Sequence, residues 1–186
     1  MSKILFFSLL CCLLMTASVS PGEVSSSGAV TAAPDEGETI EDPDSVQNIR
    51  FANFKDTLND IERKLAILHP IQAFRVYLAA SRAEETTIRL YGSNGFQDNA
   101  DAFRHCLWNA LMKKSVGEDA AREWANAHEA YSEGVDREMD LYNNEVGRGI
   151  AVEAFTEEQI IRVVQDLVSA GQCLRIVEGH CESTGG

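Results

Sequence analysis

Most of the side chains able to do chemistry fall in three stretches of the chain. The first runs Asp101-Ala102-Phe103-Arg104-His105-Cys106-Leu107-Trp108-Asn109, the second Trp124-Ala125-Asn126-Ala127-His128-Glu129, and the third Met139-Asp140-Leu141-Tyr142-Asn143-Asn144-Glu145-Val146-Gly147-Arg148. Asp101, His105 and Asn109 are spaced i, i+4, i+8, so on a helix they stack along one face, where Asp101 can accept from the His105 imidazole and fix its tautomer. Asp140, Asn144 and Arg148 repeat that spacing, and His128 follows Trp124 by one turn. Three helices of a bundle could aim these groups at a common point.

Two histidines on separate helices, Glu129 beside the second and Asp140 farther along suit a divalent metal, with His105, His128 and Asp140 as ligands. Imidazole and carboxylate together favour zinc, iron or manganese over calcium. The spacing is less specific than an HExxH motif, because no single helix can place both histidines. Without a metal, His105 or His128 serves as a general base oriented by Asp101 or Glu129, while Arg148 and Asn144 steady an anion. Arg104, Asn109 and Asn143 complete the polar set. The plainer alternative is that these groups only hydrogen-bond one another across helix interfaces or cap helix ends. Trp108 and Trp124 read as core anchors, and His69 and His180 as incidental.

Six helices can carry these residues. Phe54, Leu58, Ile61, Leu65 and Leu68 recur at helical spacing until His69-Pro70. A second helix is expected from about Ile71 to Tyr91, stopped at Gly92. Asp98 or Asn99 can cap a third that ends near Gly117. A fourth runs from Glu118 to Tyr131, and a fifth from Arg137 to Ala154, where Gly147 and Gly149 could let another helix approach closely. Thr156 with Gln159 makes a capping box for a sixth, ended by Gly171. No alternating strand pattern competes, so the expected fold is an all-α, single-domain bundle over residues 49–186.

The strings Asp101-Ala102-Phe103-Arg104-His105 with Trp108-Asn109-Ala110, Ala127-His128-Glu129, Met139-Asp140, Asn143-Asn144 and Gly147-Arg148 resemble a small, uncharacterised helical domain of bacterial secreted, toxin-like proteins. The likeness spans roughly residues 70–150. It implies a helical fold and a shared polar site, carried here by Asp101, Arg104, His105, Asn109, His128, Glu129, Asp140, Asn143, Asn144 and Arg148, without implying a reaction.

The N-terminus points to export. Lys3 precedes a run from Ile4 to Met15 that is apolar but for Ser8, and small residues Ala17, Ser18 and Ser20 follow, the order of a signal peptide over residues 1–20. That run is short of the roughly 20 apolar residues that cross a bilayer. Residues 21–48 hold seven acids and no Lys or Arg, which reads as a disordered acidic spacer or pro-segment able to meet cations or basic partners. The formal net charge is −13, a sign that disfavours nucleic acid. Beyond the signal peptide the cysteines are Cys106, Cys173 and Cys181. In an oxidising compartment Cys173 and Cys181 are expected to pair, leaving Cys106 a buried thiol. These features together suggest a secreted hydrolase-like effector, metal-assisted or not. The alternatives are a noncatalytic acidic matrix or mineral-associated protein and a host-directed binding protein.

Overall fold

Asn59 divides what the apolar periodicity suggests is one helix. Its side chain accepts from the amides of Ile61 and Glu62, while Glu62 Oε2 accepts from the Asn59 amide at 2.8 Å, a reciprocal cap that starts a new helix. The result is α1 (Pro43–Thr57) followed by α2 (Asp60–Leu68). The computed structural model describes residues 43–185, so the expected signal peptide and most of the acidic spacer lie outside the described residues. Helix α1 nevertheless begins inside the segment expected to be spacer.

Pro70 occupies the first turn of α3 (Pro70–Tyr91), where its missing N–H costs nothing, and Gly92 at φ +79° closes the helix. Phe51 and Phe54 of α1 pack with Phe74 and Tyr77 of α3, with ring centroids 5.0–5.5 Å apart between the helices. Asp98 caps α4 (Asn99–Val116) through the Asp101 amide. Helix α4 is the central element: Ala102, Phe103, Cys106, Leu107, Ala110 and Met112 are fully buried, because α3, α5 (Glu118–His128), α6 (Gly134–Arg148) and α7 (Glu157–Ser169) all pack on it. A 3-10 turn, Glu129–Tyr131, links α5 to α6, and another, Val152–Ala154, precedes α7.

The expected fifth helix differs at both ends. It starts at Gly134 and stops at Arg148, six residues short of Ala154. Lysines from the end of α4 take over the carbonyls beyond: Lys113 Nζ donates to Arg148 O at 2.8 Å, and Lys114 Nζ to Val152 O and Phe155 O. Gly147 is required by contact, since a Cβ there would stand 2.1 Å from Cys106 O of α4. Gly149 meets only its own helix, so close approach is the property of one glycine and not of both. Helix α7 carries the Thr156/Gln159 capping box read from the sequence.

The architecture is helical, with one addition. Leu174–Val177 (β1) and His180–Ser183 (β2) form an antiparallel hairpin, with Leu174 opposite Ser183 and Ile176 opposite Cys181. Glu178 and Gly179 turn it, both at positive φ, as a two-residue hairpin loop requires. The hairpin lies against α4 and α6. The expected Cys173–Cys181 bond is absent: the register sets Cys181 against Ile176, its Sγ lies 3.7 Å from Val135 O, and all three cysteines are unbonded. Among the described residues no helix is long and apolar enough to cross a membrane.

Candidate functional site

Helices α4 and α6 touch where Gly147 meets Cys106, and the polar residues of the two helices meet in two groups. One group is an amide and guanidinium ladder. Asn109 Nδ2 donates to Asn144 Oδ1 at 2.6 Å and to His105 O at 3.1 Å, and Arg148 Nη1 donates to Asn109 Oδ1 at 2.5 Å. Arg148 Nη2 also reaches Glu145 Oε2 at 2.6 Å, and Arg122 joins the same carboxylate at 2.8 Å. Asn143 works separately: its side chain accepts from Leu174 N and donates to Leu174 O, both at 2.8 Å, as a neighbouring strand would. Asn109, Asn143, Asn144 and Arg148 thus help to hold α4, α6 and the hairpin together, with Asn144 Nδ2 and Arg148 Nε left buried without a hydrogen-bond partner.

The other group is built from imidazole and carboxylate. His105 Nε2 lies 3.4 Å from Asp101 Oδ1 on its own helix and 3.5 Å from Asp140 Oδ1 on α6. Arg104 pairs with the same Asp101 oxygen, sends its other nitrogen to Asn94 O and Gly95 O, and comes within 3.5 Å of His105 Nε2. Asp101 Oδ2 accepts from the Gln97 amide at 2.7 Å. Two buried atoms in this group have no hydrogen-bond partner, His105 Nδ1 and Asp140 Oδ1. Unpaired buried polar atoms are uncommon, and these two sit on groups whose other atoms converge.

His128 is near this group but engaged elsewhere. Its Nδ1 pairs with Glu62 Oε1 of α2 at 2.8 Å, its Nε2 faces Glu129 Oε1 at 3.9 Å, and the Trp108 ring meets it edge-on at 5.1 Å. Glu129 Oε2 accepts from Ser132, and Glu129 O from Arg137. Trp124 is buried, its indole N–H 3.5 Å from Gln72 Oε1.

The charges pull on one another. Burial alone would lower the His105 pKa, but the Asp140 charge and the Asp101 hydrogen bond and charge push it up to about 9. For Asp140, burial outweighs the attraction of His105, and Glu129 and Asp101 add repulsion, so its carboxyl is pushed up to about 6. Burial opposes ionisation of Asp101 as well, yet the His105 hydrogen bond and Arg104 hold it below the usual carboxylate range. Burial disfavours charged His128, but the Glu62 hydrogen bond and the Glu129 and Glu62 charges leave it raised.

One set of ligand atoms converges among the described residues: Asp101, His105 and Asp140 each offer one atom, all within 4.8 Å of one another. A tetrahedral ion with bonds of about 2.1 Å spaces its ligand atoms by roughly 3.4 Å, which the two His105 distances match. Asp101 therefore stands where the sequence placed His128 in the expected set of His105, His128 and Asp140. Binding there carries two conditions: Arg104 must release the Asp101 oxygen and rest on the Asn94 and Gly95 carbonyls, and His105 must lose its proton. With those met, the donors fit a zinc- or manganese-class ion.

A family model described as "Domain of unknown function (DUF6973)" matches residues 63–172, more than half of the chain. The chain belongs to this family. All ten polar residues singled out above lie within the matched span of the DUF6973 domain. The chain matches no curated protein and no solved structure with which it was compared. Glu62 and Gln97 are site-supporting residues that the sequence reading missed. For Glu62 a signal existed in Asn59-Asp60-Ile61-Glu62, a capping-box spacing; Gln97 contributes only its backbone and carries no such signal.

Proposed function

We propose that the chain is a secreted hydrolase-like effector whose working centre is Asp101, His105 and Asp140, with a divalent cation of the zinc or manganese class as its cofactor. The observation that carries this reading is the convergence of His105 Nε2 on two carboxylate oxygens from two helices, with Asp140 Oδ1 buried and otherwise unpaired. Such an ion supplies Lewis acidity and lowers the pKa of a bound water. The chain's own residues prepare the place. Gln97 and Arg104 orient Asp101, Glu62 fixes the Nδ1 side of His128, and the His128 Nε2 edge is left turned toward Glu129, within the field of Asp140. His128 is then the acid-base group of the centre, and Glu129 the carboxylate that tunes it. Export rests on the signal-peptide pattern of residues 1–20, and an effector role on the likeness to bacterial secreted, toxin-like domains.

The test is elemental analysis of the purified chain, paired with hydrolysis assays against ester, phosphodiester and peptide substrates. The expected result is one equivalent of a transition metal, lost in His105→Ala and Asp140→Ala, with a metal-dependent hydrolysis that His128→Ala reduces by about 10²–10⁴. No bound metal after incubation with zinc and manganese, together with no hydrolysis, would leave the noncatalytic acidic extracellular protein as the reading.

A further inference from the structure

Phe54 to Leu68 carries one apolar stripe, yet the helix breaks at Leu58-Asn59 and starts afresh. In an unbroken helix the Asn59 amide would donate to the carbonyl four residues back, and nothing would hold the Glu62 carboxylate. Here that amide donates to Glu62 Oε2 at 2.8 Å instead, and the other oxygen, Glu62 Oε1, meets His128 Nδ1 at 2.8 Å. Both oxygens of one buried side chain are thus fixed, one from its own helix start and one from α5. A carboxylate offers only lone pairs, so His128 must carry its proton on Nδ1.

Asn59 makes a second link to the same place. Its Oδ1 is spent on the cap, accepting from Ile61 N at 2.9 Å and Glu62 N at 3.0 Å, while its Nδ2 crosses to α5 and donates to Ala127 O at 2.8 Å. That carbonyl lies in the last turn of α5, where a helix leaves its carbonyls without partners of its own. Asn59 and Glu62, one turn apart, therefore grip two consecutive residues, Ala127 and His128. A cap needs only the oxygen, which Ser, Thr or Asp would supply as well. The Trp108 ring, edge-on at 5.1 Å, closes another side of the imidazole. With 21 % of its side chain exposed, the ring is held but not sealed.

We infer that Asn59 is a positioning residue for His128: its amide tethers the start of α2 to the end of α5 in the register that sets the Glu62 carboxylate on Nδ1 and leaves Nε2 to exchange a proton with substrate. This rests on the reading of His128 as the acid–base group. With Nδ1–H committed to Glu62, the neutral ring presents a lone pair at Nε2, takes a proton there and later gives the same proton back. Asn59 and Glu62 both precede the matched span of residues 63–172, so the ring lies inside that span and its support outside it.

The experiment labels the histidines of the metal-free chain with 15N and records long-range 1H–15N spectra above the pH at which the His128 ring titrates. The expected wild-type result is a neutral ring protonated at Nδ1. Asn59→Ser, whose hydroxyl is spent on the cap, should show both tautomers averaged with circular dichroism unchanged. Glu62→Gln should move the proton to Nε2, because the Asn59 amide still claims the side-chain oxygen and turns the new NH2 toward Nδ1. In the metal-loaded chain Asn59→Ser should lower kcat about 10-fold with KM unchanged. A wild-type ring protonated at Nε2, or a wild-type spectrum retained in Asn59→Ser, overturns the inference; Asn59→Thr repeats the test should Asn59→Ser not fold. The expected spectra without any hydrolysis uphold the tether and remove the acid–base reading, whereas hydrolysis that needs His128 beside an unmoved Asn59→Ser spectrum removes the tether alone.

Discussion

The same two helices, α4 and α6, carry one polar group of amides and a guanidinium and another of an imidazole and carboxylates. In the Asn109–Asn144–Arg148 ladder the oxygens of Asn109 and Asn144 are each taken by a neighbouring donor, and the charge on Arg148 is met by Glu145. In the Asp101–His105–Asp140 group two carboxylates crowd one imidazole nitrogen, and buried His105 Nδ1 and Asp140 Oδ1 have no hydrogen-bond partner. Neutral amides and a guanidinium paired with Glu145 suit a seam, because they leave little net charge in a dry core, although Asn144 Nδ2 and Arg148 Nε are buried without a hydrogen-bond partner. Two carboxylates around an imidazole, with Arg104 beside them, stay balanced only while His105 holds its proton, so a cation can take that proton's place, which suits a site. Equal spacing on the helices conceals this difference.

The seam itself gives the largest expected effect. Gly147→Ala drives a methyl group into Cys106 O, an atom of helix backbone that cannot turn aside, so the helices must part. A loss on the order of 3–4 kcal/mol is expected in urea unfolding. A loss below about 1 kcal/mol would mean that α4 and α6 do not meet this closely.

Arg148→Met comes next, at about 3 kcal/mol, because Asn109 Oδ1 is left buried without a donor. Divalent metal binding, followed by calorimetry, should be unchanged in whatever fraction of this variant is folded. If binding is lost while circular dichroism shows an intact fold, the two groups are one site and the comparison fails.

These contrasts show which parts of the molecule were legible in the chain. The i, i+4, i+8 pattern of Asp101, His105 and Asn109 set the face of α4, and Thr156 with Gln159 marked the start of α7, because both signals are local. The division of labour along that face was not local. Asn109 falls in the amide and guanidinium ladder and His105 in the imidazole–carboxylate group because of Asn144, Arg148 and Asp140, more than 30 residues away. The partner that replaced Glu129 as the main orienter of His128 is 66 residues distant. The hairpin escaped because four-residue strands, half-buried along β1 and mostly exposed along β2, show no alternation, and Glu178-Gly179 is a weak form of the usual Asn-Gly or Asp-Gly turn. Loop length also suggested pairing Cys173 with Cys181, but the hairpin register sets Cys181 opposite Ile176, a placement that no local signal reveals.

A third prediction concerns Glu84, a buried carboxylate outside both groups that accepts from Asn94 Nδ2 at 3.0 Å. Burial pushes its carboxyl up to about 7 against the attraction of Arg104, from an ordinary 4.5. A raised carboxyl pKa means that the folded state holds the proton more tightly than the unfolded one. The group's contribution is therefore most favourable below pH 4.5 and is lost as pH rises through 7. Glu84→Gln should stabilise the chain by on the order of 2 kcal/mol at pH 8 and by almost nothing at pH 4. Thermal unfolding at the two pH values checks it; an equal gain at both would place the benefit outside ionisation.

The smallest expected change in stability is also the sharpest division between the two groups. Asp140→Asn keeps the shape of the side chain and removes both the burial cost of a carboxylate and its attraction to His105, so the two losses largely cancel and stability should shift by less than about 1 kcal/mol. Asn144→Leu, one turn along the same helix, leaves Asn109 Nδ2 with only its bond to His105 O and should cost about 2 kcal/mol. Metal affinity should move the opposite way: down at least about 100-fold in Asp140→Asn, where an anionic ligand becomes a neutral amide, and little changed in Asn144→Leu. Titration of zinc or manganese into both variants, beside urea unfolding of each, reads the two quantities independently. If Asp140→Asn instead unfolds the chain and leaves affinity intact in what remains folded, Asp140 belongs to the seam, and the imidazole–carboxylate group is a second ladder rather than a site.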